Sequence, residues 1–356
     1  MKHYSNYSLK DHNTLKIDVL CDDCYVVETQ DDIPELARLD VVKKGDFMLI
    51  GDGANVLFTQ DYQGTIIQVQ MDETNIVSES DVDVVLHVGA GKSWHDLVEY
   101  CVEHNWGGIE NMVMIPGRLG ASPIGNIAAY GQNFSDVCES VRVLMCETGE
   151  VVEMDAKSCE FTYRDSIFKN TLKGKVIVLS VQLRLHKNPT VNSEYWSKKH
   201  GSVAEVLSKG GSGPYSIKDV SDAICSIRRS KFPDMSVLGT AGSFFTNPVV
   251  TTEELARIQQ LVPSVQFYPV NDLRYIDNSG VIPDSIVKVA AGEILDSGMG
   301  YKGLWIGNVG LFEKHALVLV TNGNASGAEV DAFATKIQDD FYAFCGVKLE
   351  REVITI

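Results

Sequence analysis

The chain has 356 residues, 44% of them hydrophobic and 22% charged, an ordinary globular composition with length for roughly two to three domains and a sizeable core. Lys plus Arg total 31 against 48 Asp plus Glu, and the formal charge of −17 argues against broad binding to nucleic acid or an anionic membrane while allowing a small anion held by local donors. The longest apolar runs, Val176–Val181 and Ala316–Val320, fall far short of the ~20 residues of a membrane-spanning helix, and Met1-Lys2-His3-Tyr4-Ser5 has no signal-peptide core, so a cytoplasmic protein is expected.

In chain order, Cys21-Asp22-Asp23-Cys24 is the one close pair among eight scattered cysteines. Its acidic neighbours raise a thiol pKa, so a surface loop of reduced thiols is expected, not zinc or redox chemistry. Phe47–Ile50 is a short apolar run stopped by Gly51, and Ile66–Val69 and Val82–Val88 have the β-branched content of strands. Gly51-Asp52-Gly53-Ala54-Asn55-Val56 follows a strand but ends on Val56 and leads into no helix, so it is not a dinucleotide fingerprint. Its two glycines can turn the chain so that successive N–H groups face an anion, with Asn55 as a further donor; an ordinary turn is an equal reading. Leu86-His87-Val88-Gly89-Ala90-Gly91-Lys92-Ser93 imitates a P-loop, with Leu86 where the first glycine is needed. Ser93 then precedes an amphipathic helix with Trp94, Leu97, Val98 and Cys101 on one face.

From Gly107 to Gly131 periodicity is lost in a long segment too apolar for a linker, which is uncommon inside a compact domain unless it wraps a ligand. Val141–Cys146 and Val151–Met154 read as a hairpin around Thr148-Gly149, and Val176–Leu185 as a strand. Residues 187–213 are polar, with Gly210-Gly211-Ser212-Gly213-Pro214 marking a flexible connection. Helices are expected at about Lys218–Arg229 and Glu253–Leu261, and strands at Ile286–Ala290 and Ala316–Val320. A last helix runs from Ala328 to Cys345, with Ser326 as N-cap, Glu329 completing the box, Val330, Phe333, Ile337, Phe341 and Phe344 on its buried face, and Gly346 as its stop. No histidine has a convincing metal spacing, and no Gly-x-Ser-x-Gly elbow appears.

Three clusters remain. Phe161-Thr162-Tyr163-Arg164-Asp165-Ser166 sets an aromatic hydroxyl beside a guanidinium, Thr240-Ala241-Gly242-Ser243-Phe244-Phe245-Thr246-Asn247-Pro248 sets a serine after small residues, and Leu349-Glu350-Arg351-Glu352-Val353 places charges on an apolar C-terminal strand. Each alone has an ordinary structural explanation: a packed Tyr, a turn, an alternating edge strand. Taken in order, however, Phe47 through Phe58, Ile115-Pro116-Gly117 through Gly125-Asn126-Ile127-Ala128-Ala129-Tyr130-Gly131, Tyr163 through Lys169, and Ala241 through Phe245 with Asn247-Pro248 resemble the UDP-N-acetylenolpyruvoylglucosamine reductases of bacterial cell-wall synthesis. The likeness runs over nearly the whole chain.

The resemblance implies an α+β fold: an FAD-binding, two-subdomain arrangement of the vanillyl-alcohol-oxidase (PCMH) type over 1–75 and 76–232, with 187–213 inserted, a substrate-binding α+β domain over 233–345, and a strand, 346–356, returning to the active site. It implies FAD as cofactor, NADPH as co-substrate and UDP-N-acetylglucosamine enolpyruvate as substrate, in a monomer with no nucleic-acid or membrane partner. Gly51, Gly53, Ala54 and Asn55 are assigned to the FAD diphosphate, and Pro116, Gly117, Gly120, Ser122, Asn126 and Gly131 to a wrap around the flavin. Arg164 stabilises charge developing on the substrate carboxylate, Ser243 protonates carbon, Glu352 polarises the intermediate or relays the proton, and Tyr163 positions substrate or nicotinamide. Lys231, Asn247, Tyr268 and Lys288 are the substrate contacts, and Tyr195 resembles the mobile-loop tyrosine of the family's larger type. The chain departs from the pattern at Ala54, where serine is common, at Leu15-Lys16, and at Leu311–His315. The competing readings are an FAD-dependent alcohol or sugar oxidase of the same fold and a non-catalytic flavin- or nucleotide-binding module; an oxidase needs a base, so Ser243 and Glu352 speak against it.

Overall fold

The computed structural model describes residues 1–187, 189–193, 203–270, 275 and 281–356. They form two compact units, one of Met1–Tyr7, Cys21–Asp52 and Gln63–Arg228, the other of Ser8–Leu20, Gly53–Tyr62 and Arg229–Ile356. The second unit thus joins the C-terminal third of the chain to two short pieces from near the N-terminus. Helices and strands are mixed in both.

The first unit is built on a five-stranded antiparallel sheet in the order Val151–Asp155, Cys138–Met145, Val176–His186, Asp83–Gly89, Thr74–Glu79. The central strand, Val176–His186, is buried almost throughout, as expected for a near-continuous apolar run with neighbours on both sides. Helix Trp94–Glu103 covers it with the face read from the sequence, Trp94, Leu97, Val98 and Cys101. Ser93 Oγ accepts the Asp96 N–H at 3.3 Å, and Trp94 Nε1 donates to the Met112 carbonyl at 3.0 Å, tying the helix to the irregular loop that follows. Each large apolar side chain so buried contributes about 1.5–3 kcal/mol.

A second sheet runs Lys2–Ser8, Leu20–Val27, Tyr62–Val69, Phe47–Leu49. The first two strands escaped the sequence reading, and the surface loop expected at Cys21–Cys24 is instead part of the Leu20–Val27 strand, with both thiols buried. Two exposed or half-exposed aspartates between two inward-facing cysteines break the period-two alternation, which is why the strand was illegible. Helix Val203–Gly210 was also missed; it lies in a polar stretch and buries Val203 and Leu207, four apart on one face.

The second unit holds a four-stranded sheet, Gly239–Ser243, His315–Thr321, Val309–Phe312, Trp305–Ile306, and a three-stranded one, Val249–Thr251, Ile286–Val289, Phe267–Tyr268. Helix Gly327–Cys345 carries the full capping box at Ser326 and Glu329 and stops at left-handed Gly346, as its sequence dictates; Phe344, expected on the buried face, is only half-buried. A parallel pair, Ile354–Thr355 with Val56–Leu57, brings the two ends of this unit's chain together.

Two predictions follow from the packing. Seven of the eight cysteines are buried, and burial pushes the Cys24 and Cys159 thiols up to about 12 and Cys146 to about 11. Native protein should therefore expose at most the half-buried Cys345 to a thiol reagent, all eight reacting only in denaturant; several fast-reacting thiols in the native state would contradict this packing. Gly327 has no room for a side chain, since a Cβ there would lie 1.8 Å from the Phe58 carbonyl oxygen. Gly327→Ala should lose about 1–3 kcal/mol in urea unfolding despite the better helix propensity of alanine, worth at most about 1 kcal/mol.

Candidate functional site

In the first unit the glycine-rich segment is held backbone to backbone against the turn that precedes helix Trp94–Glu103. Trp94 N–H donates to the Gly117 carbonyl at 3.0 Å, Leu119 N–H to Lys92 at 2.8 Å and Gly120 N–H to Ala90 at 2.8 Å. Arg118 closes this zipper by reaching Asp52 through Nε at 2.5 Å and the Gly91 carbonyl through Nη1 at 2.9 Å, so Gly51-Asp52, the 89–93 turn and the wrap share one cation. Sequence reasoning passed over Arg118, which carries no motif signal beyond following Pro116-Gly117. Gly117 has φ +114 and, among the described residues, no heavy atom within 4 Å of where its Cβ would stand, while Pro116 beside it is exposed. A side chain is excluded there by conformation and not by contact. Tyr130 and Gly131, at φ +48 and +83, form the two-residue turn of the hairpin Ala128–Ala129 with Gln132–Asn133.

Ser122 is buried and its carbonyl accepts the Ile127 N–H at 3.1 Å. Asn126, also buried and at φ +43, donates through Nδ2 to the Thr162 carbonyl at 3.0 Å and accepts the Ser135 N–H at 2.9 Å. Both ends of that amide are therefore spent inside the protein, and one of them steadies the neighbouring tip. There Thr162 and Asp165 exchange backbone hydrogen bonds of 3.0 and 3.3 Å, leaving Tyr163 and Arg164 exposed at the turn. Arg164 takes φ +55, a conformation costing a bulky residue about 1–3 kcal/mol, and its guanidinium has no hydrogen bond or ion pair within the described residues. The cation is held up and unspent.

In the second unit three distant pieces of chain meet. The strand Gly239–Ser243 breaks register with His315–Thr321 between Thr240 and Ser243, at a bulge where Gly242 has φ +74. Thr240, buried, fixes the bulge by donating Oγ1 to the Leu319 carbonyl at 2.8 Å and accepting the Gly242 N–H at 3.2 Å. The bulge re-aims the half-buried Ser243 at the strand's end. The C-terminal segment then runs antiparallel beside it: Thr246 N–H donates to the Glu350 carbonyl at 2.9 Å, and Glu352 N–H to the Phe244 carbonyl at 2.9 Å. Two residues further on, Ile354 N–H donates to the Asn55 carbonyl at 3.1 Å, while Asn55 Nδ2 donates to the Glu352 carbonyl at 3.4 Å. Ser243, Glu352 and Asn55 are thereby neighbours through backbone pairing. Gly53, just before, is packed against the Leu9–Lys16 turn: a Cβ would sit 2.5 Å from the His12 carbonyl oxygen. Ala54 beside it is half-buried, and Gly51, in the other unit, lies with Arg118 Cγ 3.1 Å from where its Cβ would be.

Tyr268 and Lys288 are direct cross-strand partners and so share a face of the three-stranded sheet, with Lys288 opposite Val249 on its other side. Tyr268 Oη donates to Gln266 Oε1 at 2.9 Å, and Asn247 Oδ1 accepts the Ala291 N–H at 3.0 Å. Lys231 is half-buried, two residues beyond helix Ile217–Arg229. Phe232 stacks on His315, ring centroids 6.0 Å apart and planes 18° inclined. Tyr195 lies outside the described residues.

The model of an FAD binding domain matches residues 24–155, and that of the UDP-N-acetylenolpyruvoylglucosamine reductase C-terminal domain matches 233–356. UDP-N-acetylenolpyruvoylglucosamine reductases from Shewanella sediminis, 36% identical over 98% of this chain and 94% of theirs, and from Pseudomonas aeruginosa, 37% identical over 97% and 96%, are similar from end to end. That of Flavobacterium johnsoniae is 34% identical over the full length of both. A crystal structure of UDP-N-acetylenolpyruvylglucosamine reductase from Thermus caldophilus superimposes with a TM-score of 0.65 over 99% of this chain and 98% of that one at 18% identity, a likeness of fold.

Asn126→Ala should cost about 0.5–1.5 kcal/mol, because the Thr162 carbonyl and the Ser135 N–H lose their partner. Hydrogen exchange at 162–165 should quicken in the same variant. Asn126→Gly, which tolerates the positive φ but also lacks the amide, separates strain from hydrogen bonding; wild-type exchange in both would show that the amide does not steady the tip.

Proposed function

The chain belongs to the UDP-N-acetylenolpyruvoylglucosamine reductase family, and from that premise we propose that it reduces UDP-N-acetylglucosamine enolpyruvate to UDP-N-acetylmuramate in peptidoglycan precursor synthesis. FAD is the bound cofactor and NADPH the donor. One hydride and one proton add across the enolpyruvyl double bond, the ether becomes a lactyl ether, and NADPH becomes NADP⁺.

The residues present fit FAD. Along the wrap the backbone at Gly117 is open and cannot carry a side chain, Pro116 beside it is exposed, and the buried Asn111 Oδ1, close in sequence, has no hydrogen-bond partner among the described residues. In this reading Gly51, Gly53, Ala54 and Asn55 receive the diphosphate, while Pro116, Gly117, Gly120, Ser122, Asn126 and Gly131 form or hold the wrap. Ala54, lacking the hydroxyl of the common serine, forgoes one phosphate hydrogen bond, ~1 kcal/mol. FAD held there would supply two-electron chemistry between NADPH and the double bond.

The chain's own residues manage the charge and the proton. As hydride arrives, negative charge moves into the substrate carboxylate, where the unspent fork of Arg164 is the fitting acceptor of it. Ser243 gives its proton to the second carbon; a hydroxyl is a weak acid, so the transfer runs only toward a strongly basic carbanion at a positioned donor. Glu352 polarises the intermediate or relays the proton, and Tyr163 positions substrate or nicotinamide. Lys231, Asn247, Tyr268, Lys288 and Tyr195 are assigned to the nucleotide sugar. The observation that carries the reading is the hydrogen bond from Glu352 N–H to the carbonyl of Phe244, which sets the carboxylate's strand against the serine's at 2.9 Å.

The division into FAD-binding subdomains over 1–75 and 76–232, a substrate domain over 233–345 and a returning strand over 346–356 belongs to the same proposal, as does a monomeric cytoplasmic enzyme. Among the described residues no helix is long and apolar enough to cross a membrane.

Purified protein should be yellow, and its NADPH consumption should require UDP-N-acetylglucosamine enolpyruvate. Ser243→Ala should leave flavin reduction by NADPH nearly intact while slowing reoxidation by substrate about 10²-fold or more in stopped flow. Reoxidation at the wild-type rate would remove Ser243 from the role of proton donor.

A further inference from the structure

We propose that Arg351 is a positioning residue for the C-terminal carboxylate, fixing Glu352 in place against the Ser243 strand; this rests on the roles given above to Ser243 and Glu352. The segment 350–352 is not a continuous strand. It touches the Phe244–Thr246 stretch through two backbone hydrogen bonds and the single bridge of Phe245 with Arg351. Two main-chain bonds are a slight tether for an exposed carboxylate, and Glu352 itself is exposed.

Arg351 adds a set of side-chain contacts to these. All five of its N–H donors are used. Nε donates to Gln338 Oε1 at 2.9 Å, Nη1 to Asp331 Oδ1 at 2.5 Å and Thr355 Oγ1 at 3.2 Å, and Nη2 to Thr335 Oγ1 at 2.8 Å and the Asp331 carbonyl at 3.2 Å. Asp331, Thr335 and Gln338 are spaced i, i+4, i+7 along helix Gly327–Cys345 and form one stripe shaped for a planar fork. The guanidinium carbon also stands 6.0 Å from the ring centroid of Phe244, the residue whose carbonyl accepts the Glu352 N–H.

The anchor is itself rigid. The helix is capped at Ser326 by Glu329 and pressed at Gly327 onto the Phe58 carbonyl, and Gln338 Nε2 returns a bond of 2.6 Å to the Leu349 carbonyl. Arg351 itself has 17% of its side chain exposed, while Asp331 has 40%, so the guanidinium is largely covered and its partners lie at the surface. Locking Arg351 onto the helix, together with the Glu352 N–H bond to Phe244 and the Ile354 N–H bond to Asn55, fixes the backbone that carries Glu352 on both flanks. Lysine, a single point charge without the fork, cannot replace this set of contacts.

The test uses the FAD-loaded full chain and separates the half-reactions in stopped flow for Arg351→Ala, Arg351→Lys, Glu352→Gln and the double variant Arg351→Ala/Glu352→Gln. Flavin absorbance and thermal midpoint are recorded for each. Arg351→Ala should slow reoxidation by UDP-N-acetylglucosamine enolpyruvate about 10- to 100-fold, as expected of a catalytic group misplaced by about 1 Å, with flavin reduction by NADPH within about twofold of wild type. The double variant should be no slower than Glu352→Gln alone, because Arg351 acts through Glu352. Arg351→Lys should recover little. Slowing in the double variant that multiplies the two single effects, equal losses in both half-reactions, or wild-type reoxidation in Arg351→Ala would overturn the inference. If Arg351→Ala does not fold, Asp331→Asn and Thr335→Val keep the arginine and weaken its receptor; wild-type reoxidation in both, with lowered thermal midpoints, would likewise end it. Wild-type reoxidation in Glu352→Gln marks failure of the underlying role of Glu352, visible in that arm alone and carrying the positioning role down with it.

Discussion

The hydrogen bond between Glu352 N–H and the Phe244 carbonyl is the constraint on which the arrangement of the second unit's C-terminal segment depends. It joins residues more than a hundred positions apart in sequence, so its loop-closure entropy is met by the whole unit and not by the two strands alone. The same segment then pairs in parallel with Val56–Leu57, which brings the Gly53–Asn55 turn to the serine's side of the unit. A strand only two residues long has little intrinsic stability. Its position is over-determined by what surrounds it: the bulge at Gly242, the buried Thr240, and the arginine set into the helix stripe.

The first unit solves a different problem. A long irregular segment must keep its backbone polar groups satisfied while leaving some surface for a ligand, and it does so by pairing with the turn before helix Trp94–Glu103 on one side only. Asn126 and Arg118 finish the task with side chains, each bridging three stretches of chain. What remains on the open side is a backbone bent at Gly117 and a tip that holds Arg164 at a positive φ without neutralising it. Strain of about 1–3 kcal/mol at one residue persists only where the surroundings impose it, and the tip's crossed backbone bonds impose it here.

Where local signals agreed, the fold was legible. The capping boxes, the 3.6-residue stripe of the last helix and the apolar run of Val176–His186 each gave the observed element to within a few residues. Lys2–Ser8 was hidden because its side chains are largely polar and exposed, and Leu20–Val27 because its two aspartates break the period-two alternation. For the site, the residue types were readable from the four ordered motifs, but their division of labour was not. Nothing in Gly-Asn-Ile distinguishes an amide that meets a ligand from one that, like Asn126, ties two loops together. Nor does Leu-Glu-Arg-Glu reveal that its arginine turns into a helix stripe thirteen to twenty residues upstream, since that requires the helix to be in place.

A formal charge of −17 is an awkward background for a substrate carrying a diphosphate and a carboxylate, and the structure suggests how the conflict is limited. At physiological ionic strength, charges farther than about 8 Å are largely screened, so the net charge governs solubility and the speed of encounter more than affinity. Affinity is set by the few cations inside that distance and by what else they are bound to. Several surface lysines and arginines here are already spent: Lys2 on Glu28, Lys218 on Asp222, Lys336 on Asp340, Arg184 on Glu139, Arg351 on Asp331. Among the described residues Arg164 has no such partner, and it sits on a turn that holds it in the open. A chain rich in carboxylates can thus present positive charge to an anion by holding a guanidinium on a turn away from the described acids.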